Sequence, residues 1–182
     1  MNYASILSTL AMAIGLSVAV SGAPAFAFGD GSNSGSSDAP IVCNKGYVYS
    51  QKEKICVKAS SSLLDDKDLY QQGRDLAKAG YYEHALPVLF AVKNQNDPMV
   101  LTMIGYSKRK MGDIAGGFAF YNKALAIDPD NINTREYLGE GYVTLGRVDL
   151  AEAELAKIEK IAGRDTEQYE ALELAITGGS TW

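Results

Sequence analysis

MVLTMIGYSKRKMGDIAGGFAFYNKALAIDP, residues 99–129, decides the fold. Leu101 and Ile104 stand at helical spacing in its first half, and Phe120, Tyr121, Ala124 and Ile127 in its second. Between them Gly112 occupies the place of a left-handed helix-ending residue, and Asp113 can cap the helix that follows. In front, Asp97-Pro98 supplies an N-cap and then proline at the first helical position. Behind, Asp128-Pro129-Asp130-Asn131 is a turn that closes one unit and caps the next. The stretch predicts two helices folded back on one another.

The same design repeats on both sides. Aligned on itself, the chain divides into units at residues 66–97, 98–131 and 132–165, of 32, 34 and 34 residues. Gly73, Gly105 and Gly139 superpose, as do Gly80, Gly112 and Gly146. The first unit carries Leu69 and Leu76, then Ala85, Leu89 and Val92; the last carries Leu138 and Tyr142, then Ala151, Leu155 and Ile158. A fixed period of this length is the mark of a solenoid. Glycine inside a helix costs about 1 kcal/mol relative to alanine. Its recurrence at 73, 105 and 139 therefore predicts close contact between the two helices of each unit. Asp165-Thr166 is a cap for a final helix over residues 167–177. Tyr169, Leu172 and Ile176 form its inner stripe, and Glu167, Glu170 and Glu173 give the polar outer face that the end of a solenoid needs.

Residues 66–165 resemble the tetratricopeptide repeat family. Leu101, Ile104, Gly105, Gly112, Tyr121, Ala124 and Pro129 carry the likeness in the middle unit. Leu138, Gly139, Tyr142, Gly146 and Ala151 carry it in the last, and Gly73, Gly80 and Ala85 in the first. Two positions depart. Gly117 stands where the family favours alanine, next to Gly116, which predicts a locally weak second helix in the middle unit. Pro87 lies in the second helix of the first unit, where it should bend or loosen the start of that helix. The resemblance implies an all-α helical-repeat solenoid of three helix pairs plus a C-terminal capping helix, spanning residues 66–177, with the cap at 166–177. It also implies a concave groove lined by the first helix of each unit. By aligned position the groove residues are Tyr70, Arg74 and Lys78, then Tyr106, Arg109 and Lys110, then Glu136 and Glu140. Arg74, Lys78, Arg109 and Lys110 would form a basic patch with tyrosines among them, suited to an extended acidic segment or a C-terminal carboxylate. The paired asparagines of the family's carboxylate-clamp subtype are absent. The function implied is that of a non-enzymatic adaptor binding a protein or an extended, acidic peptide.

The N-terminal third differs in character. Residues 6–20 are almost wholly apolar or small, and no Asp, Glu, Lys or Arg precedes Asp30. Ala25-Phe26-Ala27 completes the pattern of a secretory signal over residues 1–27, although no Lys or Arg marks its start. An uncleaved anchor is the alternative; cleavage leaves no stable membrane insertion. Residues 28–40, rich in Gly and Ser, read as a flexible linker. Residues 41–58 hold Tyr47, Val48 and Tyr49, then Ile55, Cys56 and Val57, about a polar run at 50–54, which predicts a hairpin preceding the solenoid. A lone hairpin is marginal in water, and a Cys43–Cys56 disulfide would stabilise it by roughly 3 kcal/mol in the chain-entropy model. Two cysteines in an exported chain read as that bridge; zinc needs more ligands, and a redox pair lies closer in sequence. The hairpin serves either as a clip ordering the N-terminal arm or as a basic, tyrosine-bearing surface. The second role is the alternative function, a cell-wall or polysaccharide-associated module. Residues 59–65 form a Ser-rich hinge and residues 178–182 a tail.

The net charge of −5 is unevenly placed, +3 over residues 43–58 and −6 over residues 65–182. An acidic main domain excludes the broad basic surface that nucleic acid requires. A single histidine, His84, and glycines that match no phosphate loop or nucleophile elbow leave no enzyme, cofactor or metal to expect. The signal sequence and the style of the arm point to export, to a bacterial periplasm.

Overall fold

The computed structural model describes residues 39–178. The expected signal segment, the linker up to residue 38 and residues 179–182 of the tail lie outside the described residues. Strands β1 (Tyr47–Ser50) and β2 (Ile55–Lys58) pair antiparallel, Tyr47 opposite Lys58 and Ser50 opposite Ile55. Cys43 and Cys56 are joined in a disulfide, their Cα atoms 5.9 Å apart.

Seven helices follow among the described residues. They pair as α1 (Asp66–Lys78) with α2 (Tyr82–Leu89), α3 (Pro98–Lys110) with α4 (Ile114–Ile127), and α5 (Ile132–Thr144) with α6 (Val148–Ala162). The last, α7 (Glu167–Ile176), packs on α5 and α6. The start signals are in place. Asp97 accepts hydrogen bonds from the amides of Met99 and Val100, Asp113 from Gly116, Asn131 from Thr134, and Thr166 from Tyr169. Gly80, Gly112 and Gly146 adopt φ of 86°, 92° and 70°, the left-handed turn that a side chain would strain.

The hairpin is built into the solenoid. Val48 is buried with Ala59 and Leu64 against Leu69 and Leu76 of α1. Gln72 of α1 treats the strand as a neighbouring strand would. Its Oε1 accepts from the Tyr49 amide at 3.0 Å, and its Nε2 donates to the Tyr49 carbonyl at 2.5 Å. This inner face is committed to capping the first helix pair. Gln72→Ala is expected to cost about 2 kcal/mol in urea unfolding, about 1 kcal/mol for each of the two bonds after solvent exchange. Hairpin amides should lose hydrogen-exchange protection first; unchanged protection would show that the hairpin does not depend on α1.

Helix α2, which contains Pro87, is the shortest of the seven described helices. Pro87 has no N–H to give the carbonyl of Glu83, yet α2 starts at Tyr82 and runs through it to Leu89, 8 residues against 14 and 15 in α4 and α6. The freed carbonyls of Leu89 and Val92 accept from Gln95 Nε2 at 3.0 and 2.6 Å. Asp66 accepts from the amides of Lys93 and Asn94, which ties this loop to the start of α1.

The glycines require two corrections. A Cβ at Gly73 would lie 2.7 Å from Leu89 and one at Gly105 2.7 Å from the Tyr121 ring, the close contact predicted within each unit. At Gly139 the nearest atoms instead belong to Leu172 of α7, at 2.5 Å. Gly117, expected to weaken α4, is a contact point. A Cβ there would lie 2.8 Å from the Gly105 carbonyl and 2.9 Å from Arg109 Cβ, so only glycine admits this approach of α3 and α4. The helix runs unbroken through it. Ile127, expected in the apolar stripe, is exposed at the end of α4.

Candidate functional site

The first helices of the units and α7 line a concave groove in two connected parts. One is a cavity of about 440 Å³ between α1, α3, α5 and α7, walled by Tyr106, Lys110 and Ala171. The other, of about 350 Å³, is walled by Tyr70, Arg74, Met99 and Asn133. Lys78, Glu136, Tyr137 and Glu167 border both. Of the eight residues predicted for the groove, seven line these cavities, all but Arg109.

Arg109 does not serve there. Its side chain and that of Glu140 are 4% and 6% exposed, and Nη2 donates to Glu140 Oε2 at 2.6 Å. Nε donates to the Tyr121 hydroxyl at 3.3 Å. Burial works against the guanidinium, but Tyr121 and Glu140 outweigh it and hold Arg109 charged. For Glu140, burial outweighs the pull of Arg109, so its carboxyl sits above the ordinary range. The pair joins α3 to α5 inside the protein. Gly141 makes room for it, since a Cβ there would meet Phe118 at 2.3 Å and Arg109 Cδ at 3.1 Å. Two members of the predicted ligand-binding set are therefore committed to each other, and the continuous basic patch is corrected to a divided lining. Arg74, Lys78 and Lys110 lie along α1 and α3, with Glu136 and Glu167 opposite on α5 and α7. Arg74 also pairs with Asp75 at 2.9 Å, both side chains about half exposed, a contact of small energetic weight.

The floor is aromatic. Tyr106 and Tyr137 pack with ring centroids 4.9 Å apart, and Tyr82 meets Tyr106 edge-on at 6.0 Å. The Lys78 ammonium lies 5.1 Å from the Tyr137 ring and 6.0 Å from that of Tyr106. Lys110 lies 5.8 Å over Tyr106. Burial pushes the Tyr106 phenol up to about 12, so it stays a neutral donor at physiological pH.

Glu136 is the anomaly. It is 8% exposed, and among the described residues its carboxyl makes no hydrogen bond or ion pair. Burial first, and then the neighbouring Glu140, push it up to about 8. A buried polar group left without a partner is destabilising by about 1–3 kcal/mol.

The sequence reading missed Tyr137 and the whole α7 wall. Both were within reach of the period. Tyr137 aligns with Met103, and one further step of the repeat places Glu167 in register with Met99 and Asn133. Helix α7 thus takes the position of a fourth first helix.

Comparison with known proteins agrees with the helical-repeat fold. Residues 108–176 match the family model described as Tetratricopeptide repeat. Over 114 residues, 59% of the chain, the sequence is 31% identical to Protein CTR9 homolog of Arabidopsis thaliana. The match takes in 10% of that relative, so the chain spans about a tenth of its length. A solved structure of a mutant form of MamA superposes with a TM-score of 0.50 at 27% identity, covering 62% of this chain and 67% of that one. The described region is a helical-repeat solenoid, similar to MamA in architecture and to the tetratricopeptide repeat model over its last four helices.

Proposed function

We propose that the chain is an exported, non-enzymatic adaptor that holds an extended segment of a partner protein in its concave groove, within a bacterial envelope assembly. The observation that carries this reading is the lining itself. Four helices present tyrosines, cations and carboxylates to one continuous trough, as recognition of a peptide requires and a packed core does not. Repeats of this type typically mediate protein–protein contact. The Cys43–Cys56 disulfide and the apolar N-terminal segment support export. Acidic residues of the partner face Arg74 and Lys110 along the α1–α3 side.

A photo-reactive amino acid placed at Ala171, on the groove wall, should cross-link a partner protein in intact cells. The same group at exposed Glu152 should not. Equal capture from both positions would sink the groove reading. Capture of glycan polymer from exposed Tyr47, with none of protein from Ala171, would instead favour the cell-wall alternative through the basic hairpin.

A further inference from the structure

Glu136 sits where the two halves of the groove meet, with its carboxyl buried, facing the trough and making no hydrogen bond among the described residues. Structural carboxylates in this chain are treated otherwise. Glu140 is paired with Arg109, and Glu154 is paired with Arg135 at 2.6 Å and with Lys157 at 2.7 Å. The groups facing Glu136 are Lys78 from α1, Tyr106, Arg109 and Lys110 from α3, Tyr137 and Glu140 from α5, and Glu167 from α7. Arg109 is committed to Glu140, and Lys78 is an exposed side chain whose ammonium rests on the tyrosine rings. Glu136 thus has no ion pair of its own among the described residues, unlike Glu140 and Glu154. The buried, unpartnered carboxyl stands at a spot floored by Tyr106 and Tyr137, whose ring faces also attract cations.

We propose that Glu136 is the specificity-determining residue of this groove: it receives the ammonium or guanidinium of a lysine or arginine on the bound peptide. The inference rests on the reading of the groove as a peptide site. It adds that the partner segment carries a basic residue at this point, flanked by the acidic residues that face Arg74 and Lys110. In the free protein the Glu136 carboxyl holds its proton up to about pH 8. A cation beside it favours the carboxylate, so binding at neutral pH releases that proton to solvent. The sign follows. Affinity rises with pH until the free carboxyl is itself ionised, and flattens above. An anionic occupant would give the opposite slope.

The test screens an array of extended dodecamer peptides with the full chain, then titrates the best binder by calorimetry. Binders should be enriched in Lys or Arg, and affinity should rise about tenfold per pH unit from about pH 6 to about pH 8, with one proton released per peptide. Glu136→Gln should abolish both the enrichment and the slope. That variant also reports on the free protein. Its native state no longer holds the extra proton, so the decline in stability with rising pH between the ordinary carboxylate range and about 8 should flatten. Binding blocked by Ala171→Trp, yet without basic enrichment or with an inverted slope, overturns the assignment of Glu136 alone. Peptides indifferent to Ala171→Trp, or no binder at all, overturn the groove reading on which it stands.

Discussion

Arg109→Ala is expected to cost the domain about 3–5 kcal/mol in urea unfolding, the usual loss when one partner of a buried ion pair is removed. Three consequences add together. Glu140, 6% exposed, is left as a buried carboxylate without its guanidinium. The Tyr121 hydroxyl, inside the protein, loses the Arg109 Nε bond. The space between α3, α4 and α5 loses the aliphatic stem that packs at Gly117 and Gly141. The loss should shrink at acid pH, where the orphaned Glu140 can take a proton. Its carboxyl already lies above the usual range through burial, and removing Arg109 raises it further. A double variant, Arg109→Met with Glu140→Leu, should recover most of the loss, because well-packed apolar replacements of buried pairs are close to neutral. A single-variant loss under about 1 kcal/mol, the range of exposed pairs, would mean that the pair is solvated and that Arg109 faces the groove after all. Charge reversal at Arg109 is accordingly a probe of folding, and a lost partner in that variant would say nothing about the ligand.

Gly117→Ala is expected to destabilise by about 2 kcal/mol. Family preference and helix propensity both predict a gain, of about 1 kcal/mol for alanine over glycine in a helix interior. The opposing effect is steric. The new methyl would meet the Gly105 carbonyl at 2.8 Å, Arg109 Cβ at 2.9 Å and the Arg109 amide nitrogen at 3.2 Å. Backbone and Cβ atoms cannot swing aside as a flexible side-chain tip does, so the helices must part. Overpacking of this kind costs about 1–3 kcal/mol, and contacts with backbone put this site at the upper end. Thermal unfolding of the variant decides the sign. A raised midpoint would mean that α3 and α4 stand further apart than described.

What the sequence made legible was local. The Asp97-Pro98 start, the Asp113 and Asn131 caps and the glycines at 80, 112 and 146 act within a few residues of themselves, so their chemistry is written side by side in the chain. The repeat extended that reading to the fold class. The site was legible only by position. Alignment names which residues face the groove, but not how deeply a helix is seated or what lies behind it. Arg109 and Glu140 are 31 positions apart, and their pairing depends on Gly117 and Gly141 letting the backbones close. The same closeness gives Gly117 the opposite meaning from the one its neighbours in sequence suggest. Glu136 looks like any helix-surface acid until its burial is known.

The hairpin covers the α1 end of the stack, and α7, seated by Leu172 on Gly139, covers the other. The hairpin lies outside the repeat, and α7 stands in register with it as a fourth first helix, so an added unit leaves both ends as they are only when it enters from within. A duplicated segment of 34 residues inserted between Asp130 and Asn131 would lengthen the trough by one tier and leave both stoppers in place. The same segment appended after α7 would meet the glutamates at 170 and 173 beside the exposed Leu174. Changes of reach in chains of this plan should therefore appear as internal duplications, with the hairpin and the last helix travelling unchanged at the margins.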